Sequence, residues 1–219
     1  MYKRQQLDHL GIIGIVGNAV ALTDIAVPAA GETGKFTKDG NSYLLTIENG
    51  RNGKAERYMY ISDIEKIDSF CQSGSSRNDW TLLDIQAGIP AILAATQEAF
   101  VPQMVNLDLI GAVNFKKGCY PGQEVVARVH YLGKIKQRMF VVRCEGKTTA
   151  LPNDKLYITG QEDKAAGTVV QSAITNSHHL LQVVLQTAAI IDDADIRLGS
   201  INGVKLMLDS QPYTILEEE

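Results

Sequence analysis

Cys119 is the residue best placed to do chemistry. It sits in KGCYPGQE between Gly118 and a Tyr-Pro-Gly turn, just before a helix predicted over Gln123–Leu132, with Lys116 and Lys117 beside it. Backbone N–H groups at a helix start and nearby ammonium groups both favour thiolate over thiol, which is how nucleophilic or metal-binding cysteines are made. The flanking glycines let another molecule approach closely. The alternative is a small buried hydrophobe, the ordinary fate of a free cysteine. Cys71, on a helical apolar stripe, and Cys144, in a predicted strand, read as core. None of the three forms CxxC, which excludes zinc ribbons and thioredoxin chemistry. Nor do three scattered thiols furnish the usual four-cysteine cage of a private iron–sulfur cluster. An odd, sparse count fits a reducing compartment.

Two other features bear on chemistry. Trp80, the only tryptophan, begins a predicted helix and either fills a core or offers a flat ring to a planar ligand. Residues 115–147 carry Lys116, Lys117, Arg128, Lys134, Lys136, Arg138, Arg143 and Lys147 against only Glu124 and Glu145, in a chain whose net charge is −4. Such a basic island suits a carboxylate, a phosphate or an RNA backbone, or is simply a solvated face. The acidic chain as a whole is no general polyanion binder. His130 lies off the apolar side of its helix and is expected to be exposed, and His178-His179 reads as a turn. HExxH, GxSxG, P-loop and dinucleotide fingerprints are absent, so the commonest hydrolase, NTPase and redox classes lack support.

The elements that must position these residues fall into three stretches. Up to about residue 70 the pattern is α+β: strands at Leu10–Val16, Tyr43–Glu48 and Arg57–Ile61, then a helix over Ser62–Phe70 with Ser62 and Glu65 as a capping box. From 78 to 132 it turns helical. Asn78 or Asp79 caps a helix whose apolar stripe is Trp80, Leu83 and Ala87 and which Gly88-Ile89-Pro90 ends. Ala91–Phe100 reads as a short second helix that Val101-Pro102 breaks. The third, Gln123–Leu132, has Val125, Val129 and Leu132 on one face and Glu124 and Arg128 as an i,i+4 pair. Beyond 134, short apolar runs at Arg138–Arg143, Lys155–Ile158, Thr168–Ala173, Leu180–Gln186 and Lys205–Leu208 alternate with turns, the signature of a small antiparallel barrel or sandwich. A boundary at 133/134 follows.

A chain of 219 residues buries roughly 70% of its unfolded surface and needs no staple. Its start, Met1-Tyr2-Lys3-Arg4 followed by LGIIGIVGNAVAL, mimics a secretion signal, but Asp8, His9 and Asn18 interrupt the pattern. A buried strand in a cytoplasmic protein is expected instead. No apolar run approaches the ~18 residues that a bilayer span requires.

KGCYPGQE, preceded by FVPQMVNLDLIGAVNF and WTLLDIQAGIP, closely resembles the signature of the YgfZ family, folate-binding relatives of the GcvT-type glycine-cleavage aminomethyltransferase. The resemblance runs from about Trp80 to Arg138 and is looser over the strands beyond. It implies a GcvT/YgfZ-like fold: a partial ferredoxin-like α+β domain, a helical segment, and a small C-terminal antiparallel β-barrel. Residues 1–133 would be the folate-binding region and 134–219 the barrel. It further implies a cytoplasmic accessory protein for iron–sulfur cluster assembly or repair and tRNA modification, with tetrahydrofolate or another folate as cofactor. Cys119 would carry thiol chemistry or ligate a transient cluster shared with a partner, an assembly factor or a cluster-dependent tRNA-modifying protein.

Trp80 and Gln86 would contact the pterin. Gly118, Tyr120, Gly122, Gln123 and Glu124 would shape the site, and Lys117 and Arg138 of the basic island would receive the anionic tail. Pro121 stands where relatives often have threonine, which stiffens the turn. Gln86 stands where they commonly have glutamate, and an amide accepts only one of the two bonds offered by a pterin's N–H edge and lacks the charge. A weaker grip on folate is expected. A second reading is one-carbon transfer from tetrahydrofolate by an aminomethyltransferase-like enzyme, for which the sequence assigns no general base. A third is a non-catalytic protein- or RNA-binding relic. Relatives extend further at the N-terminus and supply a second tryptophan there, so Met1 is expected to correspond to an internal position, with one wall of the folate pocket missing.

Overall fold

The computed structural model describes residues 8–17, 25–28, 34–47, 56–70, 76–118, 122–133, 135–146, 149–161 and 164–215. It is mixed α and β with two antiparallel sheets, in two compact units, Met1–Trp80 and Thr81–Glu219. Among the described residues no helix is long and apolar enough to cross a membrane.

In the first unit β1 (Leu10–Val16), β2 (Phe36–Asp39), β3 (Ser42–Ile47) and β4 (Arg57–Asp63) form a sheet of order β1-β4-β3-β2. Its period-2 alternation turns Ile15, Leu44, Tyr58 and Tyr60 to one face, where Ile67 of α1 (Ile64–Phe70) closes the core. Ile12 and Val16 point to the opposite face and are 61% and 43% exposed, so the apolar run of β1 is buried on one side only. The expected capping box at Ser62 does not form. Ser62 stays in β4, fully buried, and its hydroxyl lies 2.7 Å from that of Ser42, because the strand register places the two side by side.

The second unit contains six strands, β5 (Gln137–Glu145), β6 (Lys155–Ile158), β7 (Gly167–Ile174), β8 (His178–Gln186), β9 (Ile196–Leu198) and β10 (Met207–Leu208), in the order β10-β5-β8-β7-β6-β9. Lys205 bridges to Arg197 of β9 and Met207 pairs with Arg143 of β5, so the sheet is nearly closed into a barrel. Its interior holds Phe140, Val142, Cys144, Leu156, Leu181 and Leu185.

The outer face of β5, β7 and β8 is also buried. Val141, Ala173 and Leu180 pack on Leu82 and Ile85 of α2 (Arg77–Ala87), and Met139, Val170 and Val184 pack on Phe100 and Val105. Burial on both faces explains why β5 and β8 read as continuous apolar runs. Residues that precede the expected boundary at 133/134, Leu82, Ile85, Phe100 and Val105 among them, thus pack on the barrel's outer wall within the second unit.

Several local expectations change for identifiable reasons. The buried stripe of α2 in this unit is Leu82 and Ile85 rather than Trp80, Leu83 and Ala87, although Ala87 is buried. Its cap is Ser76: the Asp79 carboxylate accepts from Ser76 N–H at 2.9 Å, and Ser76 Oγ accepts from Asp79 N–H at 3.3 Å. The helix expected over Ala91–Phe100 shrinks to one 3₁₀ turn, Ala94–Thr96, where Thr96 Oγ1 accepts from Leu93 N–H and Glu98 turns left-handed at φ 60°. His178-His179 is strand rather than turn. His179 lies opposite Cys144 and is buried, while the turn itself is made by Thr175, whose hydroxyl accepts from the N–H groups of Ser177 and His178.

Candidate functional site around the cysteine-motif loop

The segment leading to the motif is mostly apolar, but its polar side chains at 103, 106 and 108 do the anchoring. A 3₁₀ turn, Pro102–Val105, ends at Asn106, which adopts φ 59°. The Asn106 amide then acts as a surrogate strand: Nδ2 donates to Met139 O at 2.7 Å, and Oδ1 accepts from Met139 N–H at 3.3 Å. Arg138 forks onto Asp108, with Nη1 to Oδ1 at 2.7 Å and Nη2 to Oδ2 at 3.0 Å, and Nη1 also donates to Gln103 O at 2.8 Å. A planar guanidinium matches a carboxylate in this bidentate way, and the pair is nearly buried. Gln103 Nε2 donates to Val126 O at 2.6 Å, tying the turn to α3 (Gln123–Leu132).

The loop itself leaves a fixed point and returns to another. Phe115 stacks on His130 of α3 with ring centroids 3.7 Å apart and planes 10° apart, and exposed Tyr131 meets both rings edge-on. Asn114 Oδ1 accepts from Lys116 N–H at 2.8 Å and starts the turn. Gly122, at φ 81°, occupies the N-cap position of α3, a left-handed conformation that glycine adopts without steric cost. Between these points Lys116, Lys117 and Gly118 are exposed. Cys119, Tyr120 and Pro121 lie outside the described residues.

The other expected site residues are distributed as follows. Gln123 is half-buried and Glu124 exposed in the first turn of α3. That helix buries Val126 and leaves Val125 exposed, while Val129 of the expected face is half-buried, because its docking partner is the Pro102–Val105 turn. Gln86 is half-buried between Ile85 and Ala87. Arg138 is engaged with Asp108 and Gln103. Arg143 of the basic island faces Asp209 at 3.6 Å. Trp80 belongs to the first unit. Its half-buried ring packs so closely on Gly14 that a Cβ there would collide with it, and the buried Arg57 guanidinium lies 4.9 Å from the ring centroid.

Sequence reasoning missed Gln103, Asn106, Asp108 and the Phe115–His130 stack. The signal available was the presence of isolated polar residues at 103, 106 and 108 inside an otherwise apolar run, since a buried polar group must find a partner. As to a metal, no group of three or more His, Cys, Asp or Glu side chains converges among the described residues. No family model matches the chain.

Proposed function

We propose that this protein is a folate-binding accessory factor for iron–sulfur cluster assembly or repair and for tRNA modification, with Cys119 as the working thiol. The observation that carries the reading is the KGCYPGQE segment: its first residues stand exposed beside the Phe115–His130 stack, and it re-enters regular structure through left-handed Gly122 at the start of α3. One thiol supplies one ligand, so a cluster in transit takes its remaining ligands from the protein that donates or receives it. Lys116 and Lys117 favour the thiolate that such a transfer needs.

For the folate, Trp80 offers a flat ring and Gln86 an amide edge, while Lys117 supplies charge for the anionic tail. Arg138 has a structural part besides the one the resemblance implies. With its donors directed to Asp108 and Gln103, it positions the segment that leads to the motif. A bound folate would supply the pterin's one-carbon or redox chemistry, with Gln86 pairing to the ring's edge and Lys117 neutralising its tail.

Trp80 is the sole tryptophan, so its fluorescence reports directly. Titration with tetrahydrofolate is expected to quench it saturably, and an unchanged spectrum would remove folate from the proposal. In cells lacking the protein, Cys119→Ser is expected not to restore the activity of cluster-dependent tRNA-modifying enzymes. Full restoration would remove the thiol role.

A further inference from the structure

Phe115, His130 and Tyr131 form a cluster built as a stacking surface and not as a core. Aromatic rings that fill a core are buried. Here Phe115 is half-buried, His130 is exposed and Tyr131 is 67% exposed. The His130 ring is nevertheless held in place. Its plane lies on Phe115 with centroids 3.7 Å apart, and Tyr131 approaches edge-on with centroids 4.7 Å apart. Since Phe115 covers one face of the imidazole, the other face is the one left to solvent.

The charges beside these rings are of one sign with a single exception. Lys116 and Lys117 follow Phe115 directly and are exposed. Arg128, also exposed, stands three residues before Tyr131 on α3, a spacing that makes them neighbours on the helix surface. Glu124 is the only acidic residue between positions 114 and 133. Although it stands four residues before Arg128, the two do not pair. Neither Lys116 nor Arg128 forms an ion pair among the described residues. In a chain whose net charge is −4, this is a local surface that attracts anions.

We propose that this surface binds single-stranded RNA. Bases stack on the outer face of His130 and on Tyr131, and the adjoining phosphates meet Lys116, Lys117 and Arg128. Stacking of this kind requires bases released from a duplex, which RNA loops and ends present. Cations interleaved with aromatic rings match the alternation of phosphate and base along one strand. An acidic peptide would engage the cations and leave the rings idle, and an apolar partner would leave the cations unmatched. The surface is argued from these residues alone, and it goes beyond the function proposed above, in which the macromolecular partners are proteins.

The anisotropy of a fluorescently labelled, unpaired dodecaribonucleotide titrated with the full chain tests it. Saturable binding is expected, at least tenfold tighter than to the same strand annealed to its complement. Tyr131→Ala is expected to weaken binding at least fivefold, the loss of one stacked base, whereas Tyr131→Phe keeps the ring and binds as the wild type does. In the Lys116→Ala/Arg128→Ala variant the slope of log affinity against log salt is expected to fall by about 1.4, two phosphate contacts at about 0.7 each. The substituted side chains are exposed, and unchanged melting temperatures would verify folding. Absence of binding, equal binding of the duplex, or wild-type affinity in Tyr131→Ala overturns the proposal. Equal competition by poly-L-glutamate also overturns it and assigns the surface to an acidic protein. Cys119→Ser is expected to bind the RNA as the wild type does, so a failure of the thiol reading in cells and a failure of this surface are separate results.

Discussion

Cys144 and Asp195 show how differently two reactive side chains are treated within one unit. Cys144 is fully buried in the barrel, and burial pushes its thiol above the ordinary value despite a hydrogen bond with the His179 backbone. Thiolate is the reactive form, so Cys144 is held inert. In a Cys71→Ser/Cys119→Ser variant, a thiol reagent is expected to label nothing at neutral pH until denaturant is added. Rapid labelling of the native variant would contradict the burial.

Asp195 is the opposite case. Hydrogen bonds from Arg197 and Thr159, reinforced by Lys205, lower its carboxyl from the usual 3.8 to about 2. A group whose folded-state pKa is depressed stabilises the fold above its unfolded value and loses that contribution as pH falls through the folded value. The stability difference between the wild type and Asp195→Asn, measured by denaturant midpoint, is therefore expected to be constant above about pH 5. It should shrink between about pH 4 and 2 and vanish below that.

At the scale of elements, the end of α2 is the clearest case of a short sequence dictating geometry. Gly88-Ile89-Pro90 reads as a helix stop, and Gly88 at φ 72° makes a Schellman ending, with Gly88 N–H donating to Ile85 O and Ile89 N–H to Asp84 O. What the sequence does not reveal is the second reason for the glycine. The rings of Tyr213 and Pro212 lie where a Cβ would be, and Tyr213 OH donates to Gly88 O at 2.9 Å. Burial pushes the Tyr213 phenol above its usual range, so it stays a donor. Gly88→Ala combines left-handed strain with overpacking and is expected to cost about 2–4 kcal/mol by chemical denaturation.

Asn106, which accepts and donates at Met139 and also reaches Tyr213 OH, is expected to be as sensitive. Asn106→Ala strands a buried backbone donor and acceptor of β5, at about 1–3 kcal/mol each before relaxation. The helices α2 and α3 were legible because their periods and terminators are local. Their buried faces were not, because the partners, the barrel's outer wall for α2 and the Pro102–Val105 turn for α3, lie elsewhere in the chain.

At the scale of the molecule, the second unit begins inside α2, with Leu82 and Ile85 committed to the barrel wall. A chain starting at Ser76 keeps the cap of that helix, and it is expected to melt as a single cooperative transition with the far-ultraviolet signature of the barrel. A broad, non-cooperative melt would show that residues before 76 are needed. The sequence by itself determined several elements, to the residue for Leu10–Val16, Lys155–Ile158 and Gln123–Leu132, though not the strands Phe36–Asp39 and Ile196–Leu198 or the short helix Thr187–Ile191, and marked KGCYPGQE as the place where chemistry could occur. Periodicity, turn residues and motif spacing act over a few residues, so they are readable along the chain. Only the tertiary structure decided that Arg138 belongs to Asp108, thirty residues away. It also decided that Phe115 stacks on His130, that Gln103 is left with an orphan oxygen, and that Leu82, Ile85, Phe100 and Val105 pack on the barrel's outer wall. Those outcomes depend on which distant surfaces close on one another, and a buried polar group's partner is chosen by that closure and not by its neighbours in sequence.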